Sequence, residues 1–269
     1  MSSTTSLSTL LGDAGLDQST TDAMELTADT LGAAITAGLG DVQLDDIQSA
    51  EVLLVTLLLD DSGSIRMAGN SEAVRDGHNA VLDALTGAKQ AGDVLVSCRY
   101  LNEESSTSNC VLYPYRPLQG ALRLDSHNYN PNGGTPLYDQ TAVTLTGVAA
   151  KMAEFEQGGV AARAVTVIVT DGADVGSYVH RDEHSVNPII TGLLRTEQHI
   201  IAGMGIDDGY TDFHRVFSAM GIPQDWILTP GNNAHDIRQA FAVVSQSAVR
   251  ASQVASGSFS QVALGGFNG

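Results

Sequence analysis

Three short fragments carry oxygen donors in places where folding could bring them together. Asp60-Asp61-Ser62-Gly63-Ser64 follows eight largely apolar residues, 52–59. Gly133-Gly134-Thr135-Pro136 and Thr170-Asp171-Gly172 lie further along. Their side chains offer hydroxyl and carboxylate oxygens, with no Cys or His. Such hard donors suit Mg²⁺, then Mn²⁺ or Ca²⁺, rather than a softer metal. Each fragment alone also has a plain structural explanation. Thr135-Pro136 makes a good N-cap and first helical residue. Asp171-Gly172 could be an ordinary turn. Ser62 or Ser64 could cap a helix, although the helix expected there starts several residues later.

The elements around the fragments make the grouping specific. Residues 52–59 and 164–170 are continuous apolar runs, as strands buried on both faces should be. Helices are expected over 71–90 (stripe Val74, Gly77, Val81, Leu85, Ala88) and 136–156 (stripe Leu137, Thr141, Leu145, Val148, Met152, Phe155). Further strands are expected over 94–101, 199–206 and 226–228. Further helices are expected from Pro188, over 212–220 and over 234–253. A polar turn over 102–109 leads to a short strand, 110–115, read as an antiparallel edge. Alternating strands and helices imply an α/β fold with a doubly wound, mostly parallel sheet. In such sheets ligands bind beyond the carboxyl ends of the strands, where strand order reverses. That is where Asp60, Ser62 and Ser64 would stand.

D-x-S-x-S after an apolar strand, G-G-T-P-L-Y-D before a helix and V-T-D-G after a second strand together resemble the von Willebrand factor type A (vWA) family. The resemblance spans roughly residues 50–255 and implies a Rossmann-like vWA fold. It also implies a metal-ion-dependent adhesion site whose ligand types are all present: Asp60, Ser62, Ser64, Thr135 and Asp171. By that resemblance Ser62 and Ser64 ligate the ion directly, and Thr135 directly or through water. Asp60 and Asp171 act mainly through water and hydrogen bonds, and Asp61 is not a ligand. A partner's Asp or Glu would complete the shell. The chain most resembles cytosolic bacterial members, including those associated with tellurite resistance. Such members often work beside AAA+ ATPases, kinases or phosphatases.

Composition narrows the partners. The chain has 269 residues, a net charge of −18 and only two lysines, Lys89 and Lys151. Such a chain repels phosphate backbones, so nucleic acid is not expected as a partner. The N-terminus has no basic segment followed by an apolar one, and no apolar run approaches the ~20 residues that span a bilayer. A cytoplasmic location is expected. Cys98 and Cys110 fall on the two arms of a hairpin, with Cys98 facing a residue near Tyr113, and are expected to stay reduced. Three domains are expected: a helical extension over 1–50, the main domain over 51–255, and a flexible tail over 256–269. The tail's Phe259, Val262, Leu264 and Phe267 would equally suit a docking peptide.

Other motifs fit less well. His180-Arg181-Asp182-Glu183-His184 matches H-x-x-E-H, but zinc chemistry needs both His on one helical turn, and Asn187-Pro188 places the motif in a loop. Asn128-x-Asn130-x-Asn132-Gly133 resembles a calcium loop faintly, with a neutral first position and Asp139 at the twelfth. Gly203-x-Gly205 lacks the third glycine of a dinucleotide site. The leading expectation is a non-enzymatic, divalent-cation-dependent protein-binding module. The alternatives are a metal-dependent hydrolase or phosphotransfer enzyme using His180 or His184 as base, and an acidic assembly subunit whose metal only stabilises the fold.

Overall fold

The computed structural model describes residues 7–40, 42, 47, 49–102, 110–254 and 259–267. β1 (Glu51–Leu59) buries eight consecutive side chains. It lies between β2 (Val94–Tyr100) and β4 (Ala161–Thr170), parallel to both. β5 (His199–Gly205) and the two-residue β6 (Ile227–Leu228) extend the sheet on one side. β3 (Val111–Pro117) closes the other side and is antiparallel to β2. The six-stranded order is β3-β2-β1-β4-β5-β6. This is the expected mostly parallel α/β sheet with one antiparallel edge strand. Strand order reverses between β1 and β4, which sets the carboxyl ends of those two strands side by side.

α4 (Ser71–Thr86) and α8 (Ala234–Ser252) pack against each other. α5 (Leu137–Gln157) packs on β1 and β4, and α2 (Gln18–Leu39) and α1 (Leu7–Asp13) pack on α5. α6 (Asn187–Arg195) also meets α2, and α7 (Phe213–Met220) meets β5. Glycines set the closest approaches. A methyl group at Gly77 of α4 would fall inside the Phe241 ring of α8. Gly203 and Gly205, whose spacing hinted at a dinucleotide site, instead leave room on β5 for the rings of Phe217 and Phe213.

Three local expectations differ from what is found. A short helix, α3 (Gly63–Met67), begins immediately after Ser62. Five residues are too few to show helical periodicity, so the sequence pattern does not reveal it. α4 stops at Thr86, where the Gly87 N–H bonds the Asp83 carbonyl and the Ala88 N–H the Leu85 carbonyl, rather than reaching residue 90. The tail, expected to be flexible, is packed on the domain over 259–267. Phe259, Leu264 and Phe267 are buried, and Trp226 Nε1 donates to the Gln261 carbonyl. The Gln261 side-chain amide accepts from the Ile201 N–H at 3.2 Å and donates to its carbonyl at 3.0 Å. It thereby satisfies the stretch of β5 that the short β6 leaves unpaired. Cys98 pairs with Tyr113 across β2 and β3, and both cysteines are buried thiols. The expected turn over 102–109 lies outside the described residues except for Asn102.

Candidate metal centre

β1 and β4 run in register to Leu59–Val169, so the next residues, Asp60 and Thr170, emerge together. The Asp60 N–H donates to the Val169 carbonyl at 2.8 Å, and Ile206, after β5, donates to the Thr170 carbonyl at 2.8 Å. The Asp60 side chain is fully buried and takes up three protein donors. Oδ1 accepts from the Ser62 N–H (2.8 Å), while Oδ2 accepts from Thr170 Oγ1 (2.6 Å) and the Asp171 N–H (3.3 Å). This geometry holds the first turn of α3 against β1. Both Asp60 carboxylate oxygens are thus engaged by protein donors.

The hydroxyls gather around Asp171. Ser62 Oγ and Ser64 Oγ are 2.8 Å apart, and Ser64 Oγ donates to Asp171 Oδ1 at 2.6 Å. Gly172 faces both Ser64 Oγ and Thr135 Oγ1, each about 4 Å from where its β-carbon would stand. The Thr135 segment is held by a two-way bridge: its N–H donates to the Val175 carbonyl (2.9 Å), and the Val175 N–H returns to the Thr135 carbonyl (2.8 Å). The Gly63 N–H reaches the Gly133 carbonyl at 3.2 Å. Gly133 has φ +91°, and any side chain there would collide with the amide of Asn102. Thus the structure brings Asp60, Ser62, Ser64, Thr135 and Asp171 to one place at the switch point of the sheet.

Does this set fit a cation? Neighbouring oxygens of an octahedron with Mg–O bonds of 2.0–2.1 Å are about 2.9 Å apart. The 2.8 and 2.6 Å separations among Ser62, Ser64 and Asp171 are close to that edge. The electrostatics point the same way. Burial, followed by the charge of Asp60, pushes the Asp171 carboxyl up to about 7. Burial also raises Asp60, against hydrogen bonds from Ser62 and Thr170. Two buried carboxylates side by side repel each other, and a cation would relieve both. Among the described residues no cluster of three or more His, Cys, Asp or Glu could hold a metal, so a cation here would need the hydroxyls.

Several residues beyond the five candidate ligands build the site. The hydroxyl of buried Tyr129 donates to the Asp60 carbonyl. Asp61, buried beside the site, accepts from the Asn102 N–H at 2.8 Å through Oδ1, and its carbonyl accepts from Asn132 at 2.6 Å. Asp139, in the first turn of α5, accepts from the N–H groups of Tyr178, Val179 and His180 at 2.7–3.2 Å. It ties the loop after β4 to α5. The H-x-x-E-H motif lies in the turn before α6. His180 is buried with Nε2 2.9 Å from Thr27 Oγ1 of α2, whose hydroxyl donates to the Ala23 carbonyl. His184 is exposed. No helix among the described residues is long and apolar enough to cross a membrane.

No protein-family model matches the chain, and no curated protein matches it in sequence. Solved structures do. The pilus adhesin SpaC from Lactobacillus rhamnosus GG, in its open conformation, superposes with a TM-score of 0.53 at 15% identity. The match covers 79% of this chain and 31% of the adhesin, so the chain spans about a third of that protein's length. The SpRpn10 VWA domain matches with a TM-score of 0.48 at 13% identity, over 72% of this chain and 95% of that one. Proximal thread matrix protein 1 from the mussel byssus, with a zinc-occupied MIDAS motif, gives 0.46 at 16% identity, over 76% and 47%. At these identities the adhesin speaks for a shared fold alone, and the two looser likenesses lend it no weight.

Proposed function

We propose that this chain is a non-enzymatic protein-binding module. It holds a divalent cation at the end of β1 and β4 and engages a partner's Asp or Glu through it. The observation that carries this reading is the convergence of Ser62, Ser64 and Thr135 hydroxyls on Asp171, with Asp60 buried behind them. Ser62, Ser64 and Thr135 would hold the ion, Asp171 would bear on it directly or through water, and Asp60 would orient Ser62 and Thr170. Mg²⁺ fits best, given small oxygen ligands and octahedral spacing. Neutral hydroxyls leave the ion's charge largely uncompensated, so it would supply attraction for an incoming carboxylate. The rim suits a protein partner: Met67 at the end of α3 is exposed, as are Val175, Tyr178 and Tyr210 on loops. We assign the binding role to residues 51–255, in a cytoplasmic bacterial adaptor of the tellurite-resistance-associated type. An AAA+ ATPase, kinase or phosphatase system would supply the partner. Nothing in the site favours the enzymatic alternative. His180, one of the two candidates for its base, is engaged with Thr27.

The test is calorimetric titration of Mg²⁺ and Mn²⁺ into the wild type and Ser64→Ala, with affinity capture from native lysate in parallel. The expected result is one saturable site, weakened at least tenfold in Ser64→Ala, and a partner released by chelator. If wild type takes up neither ion, or a captured partner stays bound in chelator, the reading fails.

A further inference from the structure

Pro136 gives α5 no side-chain cap, so the first N–H groups of that helix depend on other residues. The loop after β4 serves them. The Tyr138 N–H donates to Asp174 Oδ1 at 3.1 Å, and the Asp139 N–H donates to Ser177 Oγ at 3.0 Å. Asp139 in return accepts from the Tyr178, Val179 and His180 N–H groups. Together with the two-way bridge between Thr135 and Val175, these bonds seat Thr135 on residues 174–180. The far end of the same loop is tied to α2. His180 and Thr27 are both buried, with His180 Nε2 2.9 Å from Thr27 Oγ1. Thr27 donates its one proton to the Ala23 carbonyl at 2.8 Å, so the imidazole is the donor in the contact with His180. α2 is itself held on α6, which follows the loop. Asp17, the N-cap of α2, pairs with Arg195, and Gly192 leaves the space that Thr20 fills.

We infer that His180 is a positioning residue of the metal centre with Thr27 of α2 as its anchor, so that the N-terminal extension sets how firmly Thr135 is presented to a cation. This role deepens the proposed function: it rests on that reading for the ion, but not for the coupling between α2 and Thr135. The coupling runs through hydrogen bonds. Thr27 holds the His180 ring, Asp139 holds the His180 N–H, and Val175, five residues earlier in the same loop, holds Thr135. Removing the Thr27 hydroxyl leaves a buried N–H donor without an acceptor, which is costly. The loop relieves that by turning the His180 ring toward water. Such a turn loosens the bonds at residues 178–180 and, through them, the Val175 bridge. When the binding-competent arrangement is populated only in part, metal affinity falls by the same fraction. The H-x-x-E-H motif is thereby accounted for without zinc. His180 donates to Thr27, Glu183 accepts from Arg215 at 2.6 Å and from the Tyr138 hydroxyl of α5 at 3.3 Å, and His184 is exposed.

The experiment compares the full chain as wild type, Thr27→Val and Thr27→Ser by two readouts. Thr27→Val keeps the shape and removes the hydroxyl, whereas Thr27→Ser keeps the hydroxyl. Thr27→Ala, which removes the hydroxyl without adding a methyl group, should behave as Thr27→Val does. The first readout is calorimetric titration of Mg²⁺, where Thr27→Val should raise Kd about three- to tenfold and Thr27→Ser should restore it. The second is amide hydrogen exchange in chelator, read by NMR. Thr27→Val should speed exchange at Thr135, Val175, Tyr178, Val179 and His180 at least about fivefold more than at the β1 amides, which open only with the whole fold. If Thr27→Val binds Mg²⁺ as tightly as wild type, or speeds loop and β1 amides equally, the positioning role is overturned. If wild type takes up no Mg²⁺, the metal reading falls separately, and exchange at Thr135 and Val175 still decides whether α2 holds them.

Discussion

The two aspartates of the candidate centre differ in what surrounds them, and their substitutions should differ accordingly. Asp60 satisfies Ser62 N–H, Thr170 Oγ1 and Asp171 N–H inside the protein. Asp60→Ala would leave these buried donors without an acceptor, so metal-free stability should fall by about 2–4 kcal/mol. Asp171→Asn keeps an acceptor for Ser64 Oγ and removes one of two facing buried charges. Its metal-free melting temperature should equal or exceed that of wild type. Both variants should lose the upward shift that Mg²⁺ gives wild type, worth about 2.7 kcal/mol at a hundredfold excess over Kd. Calorimetric melting with and without Mg²⁺ checks this, and a metal-free Asp171→Asn melting well below wild type would contradict it. The five candidate ligands were legible in the sequence because each closes a short motif at a strand or helix end. The support from Tyr129 and Asn102 was not, nor was the contact that Thr170, itself in a motif, makes. Their hydroxyl and amide bonds to Asp60 and Asp61 join residues 41 to 110 positions apart, and no local pattern records such contacts.

At the scale of elements, β1 and β4 were readable as continuous apolar runs because both faces of each are covered. The helix seats were not, because they depend on which side chain meets which glycine. Gly77→Ala should show how tight the seat between α4 and α8 is. The added methyl group cannot coexist with the present Phe241 ring, so one helix must shift. A loss of about 1–3 kcal/mol is expected, against the small gain Ala normally brings inside a helix. Denaturant unfolding would reveal a neutral or stabilising effect if the seat were loose. The tail left two readings open in the sequence, a flexible end and a docking peptide. Its apolar residues show no periodicity, yet Phe267 packs beside Trp226, Phe259 beneath Arg163, and Leu264 joins the core. Truncation at residue 258 would expose Trp226 and unpair the Ile201 backbone groups. Stability should drop by about 3–6 kcal/mol, from three apolar side chains at 1.5–3 kcal/mol each with part of that area already covered when unfolded. Unchanged melting after truncation would mean that the tail leaves the sheet edge in solution.

For the whole molecule, buried groups of opposite kind should govern the response to acid. Burial holds His78 down to about 4 and His199 down to about 3. His78 is packed with Nε2 2.9 Å from the Tyr113 hydroxyl, and His199 sits at the start of β5. Both are neutral in the fold and protonate near 6.5 once unfolded, so the unfolded chain binds more protons below that pH. Their contribution is therefore fully present above pH 6.5 and is lost as pH falls toward 3–4, at up to about 1.4 kcal/mol per group per pH unit. Asp171 works in the opposite sense. Its folded value near 7 exceeds the unfolded 3.8, so the folded chain binds more protons between them and gains stability as pH falls. Asp60, also raised, adds to that gain. Metal-free wild type should therefore lose stability only gently between pH 6.5 and 4. Asp171→Asn, with its histidines unopposed by that carboxyl, should lose it more steeply, by up to about 1 kcal/mol per pH unit. Saturating Mg²⁺ would hold Asp171 ionised and should steepen the wild-type profile in the same way. Melting temperatures of both proteins across this range, in chelator and in Mg²⁺, read the three slopes directly. If wild type and Asp171→Asn ran parallel in chelator, Asp171 would not be the buried, charge-strained carboxylate that makes this end of the sheet a place for a cation.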